Sequence, residues 1–170
     1  FGEGMVILKD KVFQVTYKNQ MGFIYDAKTF KNIGKFNYTN KEGWGLTTDG
    51  KSIIMSDGTS YITYLDPTSF AVTKVLDVAE NNYVLVNINE LEYIKGFIYA
   101  NIWMTNTIVK IDPNTGDVVG KMDLTSIAEE SKTKNPGAAE MNGIAYDSIS
   151  NKILVTGKLW PTIYEIKFPL

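Results

Sequence analysis

The chain has 170 residues, a formal net charge of −2, 12% aromatic and 21% charged side chains, and neither His nor Cys. That length suits one domain with a sizeable core, and scattered Lys without a basic stripe argues against nucleic acid or an anionic membrane as partner. Without His or Cys there is no Ser-His-Asp or Cys-His triad, no thiol redox centre, no disulfide and no zinc site of the usual ligands, so any chemistry rests on carboxylates, Lys, Tyr or amides.

From its first residues the chain reads as short strands that recur. Met5 to Tyr17, apolar at Met5, Ile7, Val12, Phe13 and Val15, overlays without a gap on Leu91 to Trp103, apolar at Leu91, Tyr93, Ile98, Tyr99 and Ile102. Leu46 to Thr59 and Ile144 to Lys158 match with one and two extra residues, which fall at Asp49-Gly50 and within Asp147 to Asn151, where they lengthen a turn and leave the strands in register. A third run ends in an acidic residue at Asp26, Asp66, Asp112 and Glu165, and turns follow, most clearly at Asp66-Pro67 and Asp112-Pro113-Asn114-Thr115-Gly116. A fourth run, Ile33 to Phe36, Val72 to Val78 and Val118 to Leu124, closes the first three repeats only. Four short strands per repeat, at a spacing of roughly forty to fifty residues, are the pattern of β-propeller blades. A single twisted sheet cannot cover its own apolar faces, so blades stack around an axis. The expected fold is therefore all-β, one propeller domain over residues 1–170 with four blades. One stretch departs from strand patterning: Thr125 to Lys132 opens like a helix, a hydroxyl ahead of acidic residues, and Asn135-Pro136-Gly137 ends it. It reads equally as a solvated surface excursion or a lid.

The repeat brings Glu3, Trp44, Asn89 and Asn142 to one equivalent position, and Tyr17, Thr59, Trp103 and Lys158 to another. In a radial array such positions converge, which makes a site. Each residue also has a plainer reading. Trp44 and Trp103 could be core, and Asn89 and Asn142 could tie strand starts through backbone hydrogen bonds, the reading that suits Asn142 better. Lys158 is hardest to explain structurally, because a Lys at the axis end of an inner strand gains little unless it meets a carboxylate or a ligand. Glu90 and Glu92 alternate with Leu91 and Tyr93, so one of them can face the channel, where carboxylate oxygens suit a hard cation such as Ca²⁺. No other cofactor is called for.

The strings Phe1-Gly2-Glu3-Gly4-Met5, Gly22-Phe23-Ile24-Tyr25-Asp26, Gly43-Trp44-Gly45-Leu46, Ser56-Asp57-Gly58-Thr59, Asn89-Glu90-Leu91-Glu92-Tyr93, Ala100-Asn101-Ile102-Trp103, Asn142-Gly143-Ile144-Ala145 and Val155-Thr156-Gly157-Lys158-Leu159-Trp160-Pro161 resemble, in order and from end to end, those of the plant-type glutaminyl cyclases, also called glutamine cyclotransferases. The resemblance implies a five-bladed propeller enzyme that converts the N-terminal glutamine of a peptide or protein to pyroglutamate with release of ammonia and without zinc. It makes Glu3 the proton-transfer carboxylate and places Tyr17, Trp44, Asn89, Trp103 and Lys158 around the substrate. The chemistry of cyclisation adds a catalytic part for Asn89 and Lys158, whose amide and ammonium suit a developing oxyanion, and the shared repeat position adds Asn142 to the substrate-binding set. Well-known members carry Trp at the position of Tyr17, and the family has a further blade ahead of the Phe1-Gly2-Glu3 motif. An N-terminally incomplete ring is thus expected, with apolar flanks such as Val6, Leu8 and Ile163 uncovered. A non-catalytic propeller scaffold for a ligand or protein is the alternative from another class, and a metal-dependent propeller hydrolase is disfavoured by the absence of His.

Overall fold

The computed structural model describes residues 1–168. Its first sheet comprises β1 (Gly2–Leu8), β2 (Lys11–Thr16), β3 (Met21–Asp26) and β4 (Asn32–Asn37), each antiparallel to the next. The second sheet repeats that order with β5 (Leu46–Thr48), β6 (Ile53–Ser56), β7 (Tyr61–Leu65) and β8 (Val72–Asp77). A small ribbon of β9 (Ala79–Glu80) and β10 (Tyr83–Val84) follows. The third sheet holds β11 (Ile88–Ile94), β12 (Phe97–Ile102), β13 (Thr107–Ile111) and β14 (Val118–Asp123), and then comes one helix, α1 (Thr125–Lys134). The fourth sheet has three strands, β15 (Met141–Asp147), β16 (Lys152–Gly157) and β17 (Tyr164–Ile166). These are four blades of a β-propeller, as the repeat predicts.

Burial explains why each strand has the composition it has. Ile53-Ile54-Met55-Ser56 of β6 is buried at every residue because blades press on it from both sides, whereas β8 at the blade rim buries only Leu76. Each seam has its own core. Phe13, Val15 and Ile24 of the first blade meet Leu46, Met55 and Leu65 of the second. Ile54 and Ile62 of the second meet Leu91 and Ile98 of the third. Ile94 and Tyr99 of the third meet Ile144, Ile153 and Val155 of the fourth. Each fully buried aliphatic side chain of this kind contributes about 1.5–3 kcal/mol.

The uncovered flanks differ from expectation by one residue. Ile163 is exposed, but on β1 it is Met5 and Ile7 that stand in solvent, while Leu8 is buried and Val6 packs at the first seam. Strand side chains alternate between faces, so Val6 and Leu8 point to the second blade and Met5 and Ile7 away from it. The ribbon β9–β10 also went unread, although Asn81-Asn82, both at positive φ, is the two-residue turn such a ribbon needs. The helix forms where predicted. Its N-cap, however, is Leu124, with the Asp123 carboxylate accepting from the Thr125 amide at 2.8 Å.

Candidate active site at the mouth of the channel

Three of the four innermost strands shift register at the same place: between Gly2 and Met5 in β1, Ile88 and Leu91 in β11, and Met141 and Ile144 in β15. Glu3, Asn89 and Asn142 lie within these irregularities, which re-aim a side chain that a regular strand would send into a sheet face. Trp44 occupies the matching place just ahead of β5. Its carbonyl accepts the Gly4 amide at 2.7 Å, and a Cβ on Gly4 would lie 2.5 Å from that oxygen, so glycine is what lets the two strands approach.

Six of the predicted residues, Glu3, Tyr17, Trp44, Asn89, Trp103 and Lys158, line one cavity of about 210 Å³ at this end of the molecule. Asn142 is half-buried and is not among the side chains lining it. Its strand start is instead tied to the third blade, where Asn101 Oδ1 accepts the Gly143 amide at 3.0 Å. Thr59 is exposed and its hydroxyl donates to Asp57.

The aromatic wall is fixed edge to face, with Trp44 and Trp103 centroids 5.5 Å apart at 77°. Trp44 Nε1 donates to Glu42 Oε2 at 2.8 Å. Its ring lies over Gly58, which sits at φ +82° and whose Cβ would come within 2.7 Å of the indole. Opposite, Lys158 Nζ pairs with Glu140 Oε1 at 2.6 Å. Sequence reasoning missed Glu42 and Glu140. The signal was there: each stands two residues ahead of a repeat-site residue, Trp44 and Asn142 respectively.

Electrostatics single out Glu3. Burial raises its pKa above the ordinary carboxylate value, more than the opposing charge of Lys158 lowers it, and Glu42 raises it further. Glu140 is held below the ordinary range by its hydrogen bond to Lys158. Glu90 and Glu92 are displaced upward by burial too, Glu90 also by the Glu92 charge. Their oxygens have partners in the neighbouring blade, Ile144 N on Glu90 Oε2 at 2.9 Å and Tyr146 N on Glu92 Oε1 at 2.9 Å. Among the described residues no group of three or more Asp or Glu gathers in a way that could hold a metal ion. What the mouth offers is one carboxyl able to trade a proton, one ammonium, one amide and aromatic walls around a small volume.

The comparison with known families decides what this arrangement belongs to. Residues 1–168 match the family model described as glutamine cyclotransferase. The chain belongs to the glutamine cyclotransferase family. It is 39% identical over 168 residues to the glutaminyl-peptide cyclotransferase of Arabidopsis thaliana, covering 98% of this chain and 52% of that protein. The chain thus spans about half the length of that relative. The crystal structure of Myxococcus xanthus glutaminyl cyclase superposes with a TM-score of 0.91 at 34% identity, over 98% of this chain and 72% of that one. The computationally designed Ika4 protein, at 11% identity and a TM-score of 0.58, shares the fold alone. Within this glutamine cyclotransferase chain, the family motifs quoted from the sequence fall at the starts of the innermost strands and at the ends of the second strands with the turns after them, apart from Gly22-Phe23-Ile24-Tyr25-Asp26, which lies within β3.

Proposed function

We propose that the protein cyclises the N-terminal glutamine of a peptide or protein, with Glu3 as the proton carrier. The observation that carries this reading is the Glu3 carboxyl: it lines a cavity together with Trp44 and Trp103, its pKa is raised, and burial and charges act on it with no hydrogen bond among the causes. The uncharged α-amine of the substrate attacks the side-chain amide carbon, forming the ring C–N bond. The Glu3 carboxylate accepts a proton from that nitrogen and returns it to the departing amide nitrogen, which leaves as ammonia. No water is consumed, and Glu3 ends in the state in which it began. The amide oxygen becomes negative on the way, and the Lys158 ammonium and Asn89 amide are the donors suited to meet it. Trp44, Trp103 and Tyr17 enclose the bent side chain so that amine and amide carbon stay in reach. The scheme is written without the Ca²⁺ considered for the channel, because every step is carried by Glu3, Lys158 and Asn89.

The test is the intact mass of a Gln-initiated peptide after incubation with the natural full-length protein. Loss of one ammonia is the expected result, and an unchanged mass under conditions where uncatalysed cyclisation is slow would overturn the proposal in favour of a binding scaffold.

A further inference from the structure

Lys158 sits on a turn that has little reason to hold still on its own. Leu159 has φ +59° and is exposed, and the side chain of Lys158 is itself about half exposed. The segment that leads from α1 to β15 grips this turn at five points. Asn135 Nδ2 donates to Leu159 O at 2.8 Å and Trp160 Nε1 donates to Ala139 O at 2.9 Å. The Ala139 amide donates to Lys158 O at 2.9 Å, and the Lys158 amide to Glu140 O at 3.0 Å. The fifth point is the Glu140–Lys158 ion pair. The helix behind the segment is anchored in turn, with Ala128 and Ser131 buried and the Ser131 hydroxyl bonded to Tyr164 OH at 3.2 Å. The excursion that breaks the β pattern is thus neither a free loop nor a lid, but a brace for the turn that bears Lys158.

Two carboxylates lie within electrostatic reach of the Lys158 ammonium, Glu3 in the cavity and Glu140 on the brace, and the ammonium is bonded to Glu140. We propose that Glu140 is a positioning residue that holds Lys158 on the fourth-blade side of the cavity and keeps it from closing onto Glu3. The idea rests on the cyclisation reading for its meaning in turnover, but its structural content stands without it. If Lys158 collapsed onto Glu3, the new ion pair would favour the ionised carboxylate and weaken it as the acceptor of the substrate proton. The charged side chains acting on Glu3 are Lys158 and Glu42. Glu42 is itself occupied by the Trp44 indole and by Lys18 at 3.6 Å, so Glu140 is the partner that sets where Lys158 goes.

The deciding experiment is a ¹³C NMR titration of the Glu3 carboxyl in the natural full-length protein and in E140Q, repeated in a K158M background. With Lys158 present, E140Q is expected to lower the Glu3 midpoint by about one unit, the effect of an opposite charge moving close. With Met at position 158 the same substitution should barely move it. Equal shifts in both backgrounds, or none in either, overturn the proposal, the first because it would reflect only the lost Glu140 charge. If E140Q does not fold, E140D serves in its place, with a smaller shift expected because a shorter carboxylate still holds the ammonium. In turnover, E140Q should lower kcat by on the order of 10-fold with little change in KM, and E140D should restore most of it. A wild-type protein that fails to cyclise would sink the proposed function, while the titration would still decide the role of Glu140.

Discussion

Glu3 and Glu90 are both carboxylic residues of innermost strands, both partly buried and both raised in pKa, yet they sit in regions built for different ends. At the mouth, Glu3 faces a cavity, and burial and charges alone set its pKa. At the seam between third and fourth blades, Glu90 and Glu92 accept amides of β15, and Glu92 also lies 3.4 Å from the Thr47 hydroxyl. The first two seams bring backbones together at glycine, and the second adds the Thr47 hydroxyl, which accepts the Tyr93 amide at 2.9 Å. Gly4 and Gly45 let backbones touch there, and a Cβ on Gly45 would fall 2.2 Å from Asn89 O. Glu90 stands at the repeat position that Gly4 and Gly45 occupy in the first two blades and reaches across to the fourth blade. A perturbed pKa therefore does not by itself mark a catalytic group. What separates the two is whether the carboxyl is left an open side on which to exchange a proton.

The largest effect should come from making Glu3 unable to exchange a proton. E3Q keeps the shape of the side chain, so its turnover should fall by about 10²- to 10⁴-fold while its melting temperature stays near wild type. Next in size is Gly45→Val, which places a branched side chain against Asn89 O. It should destabilise by about 3 kcal/mol in denaturant unfolding, and a smaller loss would mean that the second seam can open without cost.

The seam carboxylates supply a subtler test. A carboxyl whose folded pKa lies above its unfolded value favours the native state below the unfolded value, and that contribution is lost as pH rises through the folded pKa. Glu90 and Glu92 both behave this way, so the wild-type protein should lose stability from this source as pH rises from about 4 toward neutrality. E90Q, uncharged throughout, should flatten that part of the stability profile and be at least as stable as wild type at pH 7. Unfolding free energies measured across that range decide it, and an E90Q protein with the wild-type slope would remove burial as the cause. The smallest expected change is none: a chelator should alter neither turnover nor melting temperature, since one oxygen of each carboxylate already accepts a fourth-blade amide and no third carboxylate gathers beside them among the described residues. A clear drop in either would put a bound cation back into the channel.

Much of this was legible in the sequence because a propeller repeats. The overlay of Met5–Tyr17 on Leu91–Trp103 is a statement about register, and register decides which residues meet at the axis, so Glu3, Trp44 and Asn89 could be placed together without any structure. Lys158 could be placed by the same means, one strand later. What could not be read were the contacts that the repeat does not contain. Glu140 pairs with Lys158 through an excursion that the other described blades lack, and Glu90 serves the seam by accepting the Ile144 amide of the fourth blade. The flank of β1 was misread by one residue because Met5, Val6, Ile7 and Leu8 are all apolar, so composition gives no alternation to choose a face by. Asn142 shares its repeat position with Asn89 but is not among the side chains that line the cavity.

The most direct test compares ammonia release from a Gln-initiated peptide by E3Q and E90Q side by side, each in the natural full-length protein. Glu3 as proton carrier and Glu90 as a seam residue require E3Q to lose turnover and E90Q to keep it. Wild-type turnover in E3Q, or an equal loss in both, would contradict that assignment.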